Sequence, residues 1–197
     1  MNTAHPHIHP AAADRQRPGT LGWLTRRWPT AVGVTVAALT VAGISSGADV
    51  APVVTASGFV YLASAALQRR GAAWPMFLVS FVLVGVGFAV PGVDASWWML
   101  ALVGVLAAYG VARGALRPPW GVPLQAVAMV VLAAAAITAV HADQTWAGLL
   151  VSGGLLAHAA WDVYHHRVQR VVSRSMAEFC AVLDTVVAMA VLAVTFV

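Results

Sequence analysis

The sequence predicts an all-α, polytopic membrane fold: a bundle of seven transmembrane helices with its N-terminus in the cytoplasm and its C-terminus outside. Three observations predict it. The chain has 197 residues, 60% of them hydrophobic and only 9% charged, with a mean hydropathy of +0.82, too little polar surface for a water-soluble domain of this size. Its apolar runs each approach the ~20 residues that cross a ~30 Å hydrocarbon core as a helix. Its arginines are sorted into alternate loops, as the positive-inside rule requires of cytoplasmic ones.

Residues 1–29, "MNTAHPHIHPAAADRQRPGTLGWLTRRWP", are polar, Pro-rich and unpatterned, so a disordered cytoplasmic tail is expected. A cleaved signal peptide fits poorly, because a long polar stretch precedes the first apolar run. Within the tail, His5, His7 and His9 share one side of an extended strand and would hold a divalent metal only weakly. Residues 30–197 form the transmembrane domain. Its apolar segments fall at 30–47, 51–68, 73–91, 96–113, 121–141, 145–165 and 176–197. In hydrocarbon each backbone amide must be satisfied within its own segment, and the runs lack the in–out alternation of barrel strands, so all seven are helices.

The loops orient the bundle. Arg26 and Arg27 precede the first helix; Arg69 and Arg70 follow the second, Arg113 and Arg117 the fourth, and Arg167, Arg170 and Arg174 the sixth. The opposite loops hold Asp49, Asp94 and Asp143. Seven crossings keep every arginine on one side. The absence of lysine excludes a retinal Schiff base, and with the Ala/Val/Gly bias it points to a high-GC bacterial genome and a bacterial inner membrane. The formal charge of +4 is accounted for by these loops, and no nucleic-acid partner is expected. Cys180 is the single cysteine, so no intrachain disulfide can form. Seven tryptophans, Trp23, Trp28, Trp74, Trp97, Trp98, Trp120 and Trp146, sit at segment boundaries as an interfacial belt. Gly110-x-x-x-Gly114 and Gly148-x-x-x-Ser152 are small-residue pairs that permit close helix packing.

The chemistry is confined to the last two helices. Embedded acids occur only there, as Asp162, Glu178 and Asp184, and an ionisable group at mid-helix costs at least ~2.5 kcal/mol, which implies a shared polar site. In "LLAHAAWDVYHHR" (155–167), His158, Asp162 and His165 form one stripe by their i, i+4 and i, i+3 spacing. Asp184 is expected near the depth of His158, with Glu178 ~9 Å nearer the cytoplasmic surface. Tyr61, Ser64, Gln68, Tyr109 and Gln125 lie at a similar level and would line a pocket opening to the cytoplasm.

The sharpest expectation is a divalent metal ion, Zn or Fe, held by His158, Asp162 and His165. Asp184 would be a further ligand or general base and Glu178 a proton carrier at the mouth. Because His158 and His165 are ~10.5 Å apart by rise, one ion would take two of the three plus Asp184 or Glu178, and two ions bridged by Asp162 would use all three. Such a site suits a metal-dependent membrane enzyme acting on a lipid or other apolar small molecule. The same residues also suit a proton relay in a transporter or sensor, or simple hydrogen bonding that holds a structural membrane protein together. A Cys180 thiolate nucleophile activated by His158 is conceivable, an inert buried thiol more ordinary. Seven helices with a cytoplasmic-side His/Asp cluster look loosely like the metal hydrolases that include alkaline ceramidases and adiponectin-type receptors. Their His-x-x-x-His pair on the final helix is missing here, so the resemblance carries no residue role over.

Overall fold

The computed structural model describes residues 26–197, and the expectations for residues 1–25 lie outside them. The described residues form seven α-helices: α1 (Trp28–Val41), α2 (Ala51–Ala66), α3 (Ala73–Ala89), α4 (Ala95–Ala112), α5 (Val122–His141), α6 (Gln144–Val168) and α7 (Arg174–Phe196). Short 3-10 turns, Gly47–Val50 and Arg70–Ala72, precede α2 and α3. Five of the helices are long and apolar enough to cross a membrane. The other two fall short for different reasons: α1 has only 14 residues, and α6 carries His158, Asp162, His165 and His166 along its length.

The segment expected at 30–47 departs most from its predicted bounds, since α1 stops at Val41. Gly43 takes a left-handed φ of +82°, a conformation that glycine adopts without a Cβ clash. The chain then folds around Asp49, whose Oδ2 accepts from the Ser45 and Ser46 amides at 2.8 and 2.9 Å. Asp94 and Asp143 likewise cap α4 and α6, accepting from the amides of Ser96 and Trp146. The loop aspartates thus have a local task, satisfying amides that the first helical turn leaves without partners.

Helix α2 is the hub. The span that contains it, Gly47–Ala66, is 78% buried, against 17% to 39% for the other four candidate spans. Helices α3, α4, α5 and α6 pack around it, α7 packs along α6, and α1 packs on α7. The composition of α2 explains its place. It has the lowest mean hydropathy of the five spans, 1.3, and its Ser57, Gly58, Ala63, Ser64 and Ala66 let neighbouring backbones approach. The most exposed span, Arg70–Ala89, has a mean hydropathy of 2.0 and turns Leu78, Phe81, Val82 and Phe88 outward. Polar side chains such as Gln125, His158, Asp162, His165 and Asp184 are instead buried. Apolar outside and polar inside is the arrangement that lipid favours.

The arginine loops gather at one end, where Arg69, Arg70, Arg117 and Arg170 line a single hollow; Asp49 and Asp94 line another at the opposite end. At the arginine end Trp28 of α1 stacks on Trp74 of α3, ring centroids 5.1 Å apart, and Trp74 packs on Phe179 of α7. Trp74 also donates from Nε1 to Ser175 Oγ at 3.2 Å. Two of the boundary tryptophans therefore join three helices, a packing role beyond an interfacial belt. The exposed rings of Trp97, Trp98 and Trp146 suit the belt itself.

Candidate functional site

The site is built from three helices. The spacing of α6 places His158, Asp162 and His165 on its buried face and leaves Tyr164 exposed, as a 100° advance per residue dictates. Helix α7 brings Asp184 opposite His158, and α2 contributes Ser57 and Tyr61, four residues apart on one face. Every one of these side chains lies in the interior of the bundle.

At the centre one imidazole nitrogen faces two carboxylates. His158 Nδ1 stands 2.8 Å from Asp184 Oδ2 and 3.2 Å from Asp162 Oδ2. The Tyr61 hydroxyl donates to Asp162 Oδ1 at 2.6 Å, and the Tyr61 ring meets the His158 ring edge-on at 5.0 Å between centroids. Ser57 Oγ lies 3.4 and 3.3 Å from the two Asp184 oxygens, while also donating to the Val53 carbonyl of its own helix at 3.1 Å. Asp162 Oδ2 has no hydrogen-bond donor beyond the shared ring nitrogen, and His158 Nε2 has no partner among the described residues. Ligand atoms of His158, Asp162 and Asp184 all lie within 4.8 Å of one another, so the three can hold a metal ion.

The donors are too few for the acceptors. Two ionised carboxylates offer several lone pairs each. Here they receive one short phenolic bond, one shared imidazole proton and one long contact from a serine whose proton has another acceptor. With a neutral imidazole the group carries two negative charges, and with imidazolium one. Such an excess is expensive inside an apolar bundle. A cation among the three ligands, or a proton on one of the acids, removes it.

The two remaining candidates stand apart. His165 lies one turn beyond Asp162; its Nδ1–H donates to the Trp161 carbonyl at 3.1 Å and its ring abuts Tyr61. That places it outside the three-residue group, for the reason that its rise along the helix implies. Glu178 sits at the arginine end, accepting from Thr30 Oγ1 at 2.6 Å and Arg27 at 3.4 Å, with His166 at 3.8 Å. It ties α1 to α7 and lies away from Asp184.

Of the other polar residues named from the sequence, only Tyr61 enters the site. The Ser64 hydroxyl is spent on the Val60 carbonyl and Gln125 Nε2 on the Trp120 carbonyl, while Tyr109 is exposed beside Gln68 and Arg113. Among the described residues, the hollows at the arginine end are lined by Gln68, Arg69 and their neighbours and by none of His158, Asp162 and Asp184. A cleft of about 170 Å³ reaches the site from the side, between α1, α2, α3 and α7, with Asp184 and Ser57 on its wall. Cys180 lies on the same wall, its thiol directed to Met176 Sδ at 3.4 Å. Ser57 is the residue that sequence reasoning missed. Its i, i+4 relation to Tyr61 was the available signal, but nothing local distinguishes it from any serine bonded to its own helix.

Removing the Tyr61 hydroxyl isolates one of these bonds. Tyr61→Phe keeps the ring contacts and is expected to cost about 1.5–3 kcal/mol, the worth of a hydrogen bond to a charged group. Unfolding in mixed detergent micelles measures it; a loss below ~0.5 kcal/mol, the range of an inconsequential substitution, would show that the bond carries no weight. No known protein family, curated sequence or solved structure matches the chain, and the site is therefore read from its own geometry.

Proposed function

We propose that the protein is a bacterial inner-membrane enzyme of seven crossings, N-terminus cytoplasmic and C-terminus outside, that uses a divalent metal ion to act on a lipid or other apolar molecule. The observation that carries this reading is the donor deficit around His158: two buried carboxylates converge on one imidazole nitrogen, with ligand atoms within 4.8 Å. A divalent cation held by neutral His158 and ionised Asp162 and Asp184 makes the group electrically neutral. Three protein ligands would suit a catalytic rather than a purely structural metal. Tyr61, donating to Asp162 at 2.6 Å, would hold that carboxylate in orientation, the usual task of a group just behind a ligand, while Ser57 lies 3.3 Å from Asp184. A metal there supplies Lewis acidity or an activated water. Support for the orientation comes from the arginine loops gathering at one end of the bundle, and for the substrate class from the apolar cleft that reaches Asp184.

Elemental analysis of the protein purified in detergent tests the proposal. One divalent ion per chain is expected, falling at least ~10-fold in Asp162→Ala as a ligand is lost. Metal content that is nil in the unsubstituted protein, or unchanged by Asp162→Ala, would sink it. The sharing of His158 Nδ1 between two carboxylates at 2.8 and 3.2 Å favours one second reading, a proton relay in a transporter or sensor. Acid-dependent solute flux in proteoliposomes made from metal-free protein would select it.

A further inference from the structure

The cleft beside Asp184 has a shape and a hydrogen-bonding character that narrow what can fill it. Helices α1 and α3 touch through the Trp28–Trp74 stack at the arginine end. Beyond that stack the cleft lies between them, lined by Val36, Leu39, Phe77, Phe81 and Val84, with Ser57 and Asp184 on the inner wall. Leu39, Phe81 and Phe88 at its rim are exposed on the flank of the bundle, so the mouth faces sideways, where lipid would lie. The space continues toward the Asp49 and Asp94 end, since Leu39, Thr40, Val84 and Phe88 also line the hollow there.

The wall can accept a hydrogen bond but has little left to donate. Thr40 donates to the Val36 carbonyl, Ser80 to the Phe77 carbonyl and Ser57 to the Val53 carbonyl. The Cys180 thiol faces Met176 Sδ. Asp184 Oδ2 turns to His158, while Oδ1 has only the long Ser57 contact at 3.4 Å, which leaves it acceptor capacity. Among these side chains a ligand whose polar group only accepts, such as an ester, ether or ketone, would find no donor and lose its solvation. One that donates would be satisfied. Asp184 also lies near the middle of the 23-residue α7, about 15 Å by rise from Arg174. A phospholipid headgroup at the membrane surface would not reach that depth. A charged amine would have to shed its water in hydrocarbon, which disfavours it against a neutral donor.

We infer that the cleft between α1 and α3 admits a neutral, lipid-dissolved alcohol sideways from the bilayer, its hydroxyl donating to Asp184 and its hydrocarbon lying against Leu39, Phe77, Phe81 and Val84. The inference rests on the membrane reading above and names the substrate class of that site; it does not require the metal.

The test uses the full chain in phosphatidylcholine nanodiscs and a long-chain primary alcohol that carries a photoreactive diazirine. Labelling is expected on peptides bearing Leu39 and Phe81. Unlabelled alcohol should compete at least ~10-fold better than its methyl ether, which lacks the donor. Gly85 lines the cleft and a Cβ there meets no atom within 4 Å, so Gly85→Phe fills the space without disturbing the core. It should cut labelling ~10-fold with an unchanged unfolding transition, and Val84→Trp provides an independent obstruction. Equal competition by alcohol and ether, or full labelling of both blocked variants, would overturn the inference. So would a concentration-dependent dimer that shields Phe81 from the probe, which would assign the cleft to a second copy of the chain. Metal assays on the same samples separate the two proposals. Alcohol selectivity without metal sinks the metal site alone, and metal without selectivity sinks the cleft alone.

Discussion

Replacing His158 with alanine is expected to destabilise the bundle by about 3–5 kcal/mol, the cost of removing one member of a buried charged group. In the native protein the imidazole stands between Asp162 and Asp184, which are 0% and 1% exposed. Without it, two carboxylates face each other across an apolar cavity, and only Tyr61 and Ser57 remain to offset their charge. Continuous apolar replacement behaves differently. In a Tyr61→Phe background, which leaves no phenolic hydroxyl orphaned, leucine at positions 158, 162 and 184 together removes the charges along with their desolvation, and such triads can be exchanged at no net cost or with a gain of ~1–4 kcal/mol. The pairing of a fragile single variant with a stable triple one is the signature of a polar group retained for something other than stability. Unfolding in mixed micelles, read by circular dichroism, reports both. A single variant within ~0.5 kcal/mol of the parent would mean that the three side chains are not electrostatically coupled.

Gly148→Leu is the second large effect, expected to cost about 3 kcal/mol by overpacking. A Cβ on Gly148 would strike the side chain of Thr195 on α7, and a Cβ on Gly47 would lie 2.6 Å from the Gly148 Cα. At Gly47 the obstacle is backbone; at Gly148 it is the Thr195 side chain down to its Cβ, with the Thr195 hydroxyl already held by the Val191 carbonyl, so an added side chain has little room. Four residues on, Ser152 Oγ donates to the Ala188 carbonyl of α7 at 3.2 Å. The small-residue pair on α6 is thus the seam that holds α7 and the turn before α2 in register, well away from the His/Asp group. Gly153 on the same helix has nothing within 4 Å of its Cβ position, and Gly153→Leu should stay within ~0.5 kcal/mol. A double-mutant cycle between Gly148→Ala and Thr195→Ala should show coupling of ~1 kcal/mol or more, as expected of residues in contact. Equal costs at Gly148 and Gly153 would contradict the seam.

The positions of the helices were largely legible because lipid imposes them. Apolar runs of fixed length, aspartates at helix starts and arginines in alternate loops are local features. The end of the first helix is not legible in the sequence because hydropathy does not register a backbone reversal: Ala42 to Ser46 remain mostly apolar or small while Gly43 turns left-handed. The stripe on α6 was legible too, since helical periodicity alone puts His158 and Asp162 on one face. The ~10.5 Å rise between His158 and His165 also made the need for a further acid from α7 legible; that Asp184 and not Glu178 meets it was decided only by how α7 packs on α6.

The amino-acid sequence by itself determined that the described chain is helical, where its apolar helices run, and that its embedded carboxylates are confined to α6 and α7. Each of these follows from composition within a single segment, because a helix in hydrocarbon satisfies its own backbone. Only the tertiary structure decided that α2 is the hub, that Ser57 and Tyr61 support the two aspartates, and that a sideways cleft between α1 and α3 reaches Asp184. Those depend on which helix faces which. Hydrocarbon is as apolar as leucine and expresses no preference among helix faces, so the choice falls to small residues and a few hydrogen bonds far apart in the chain.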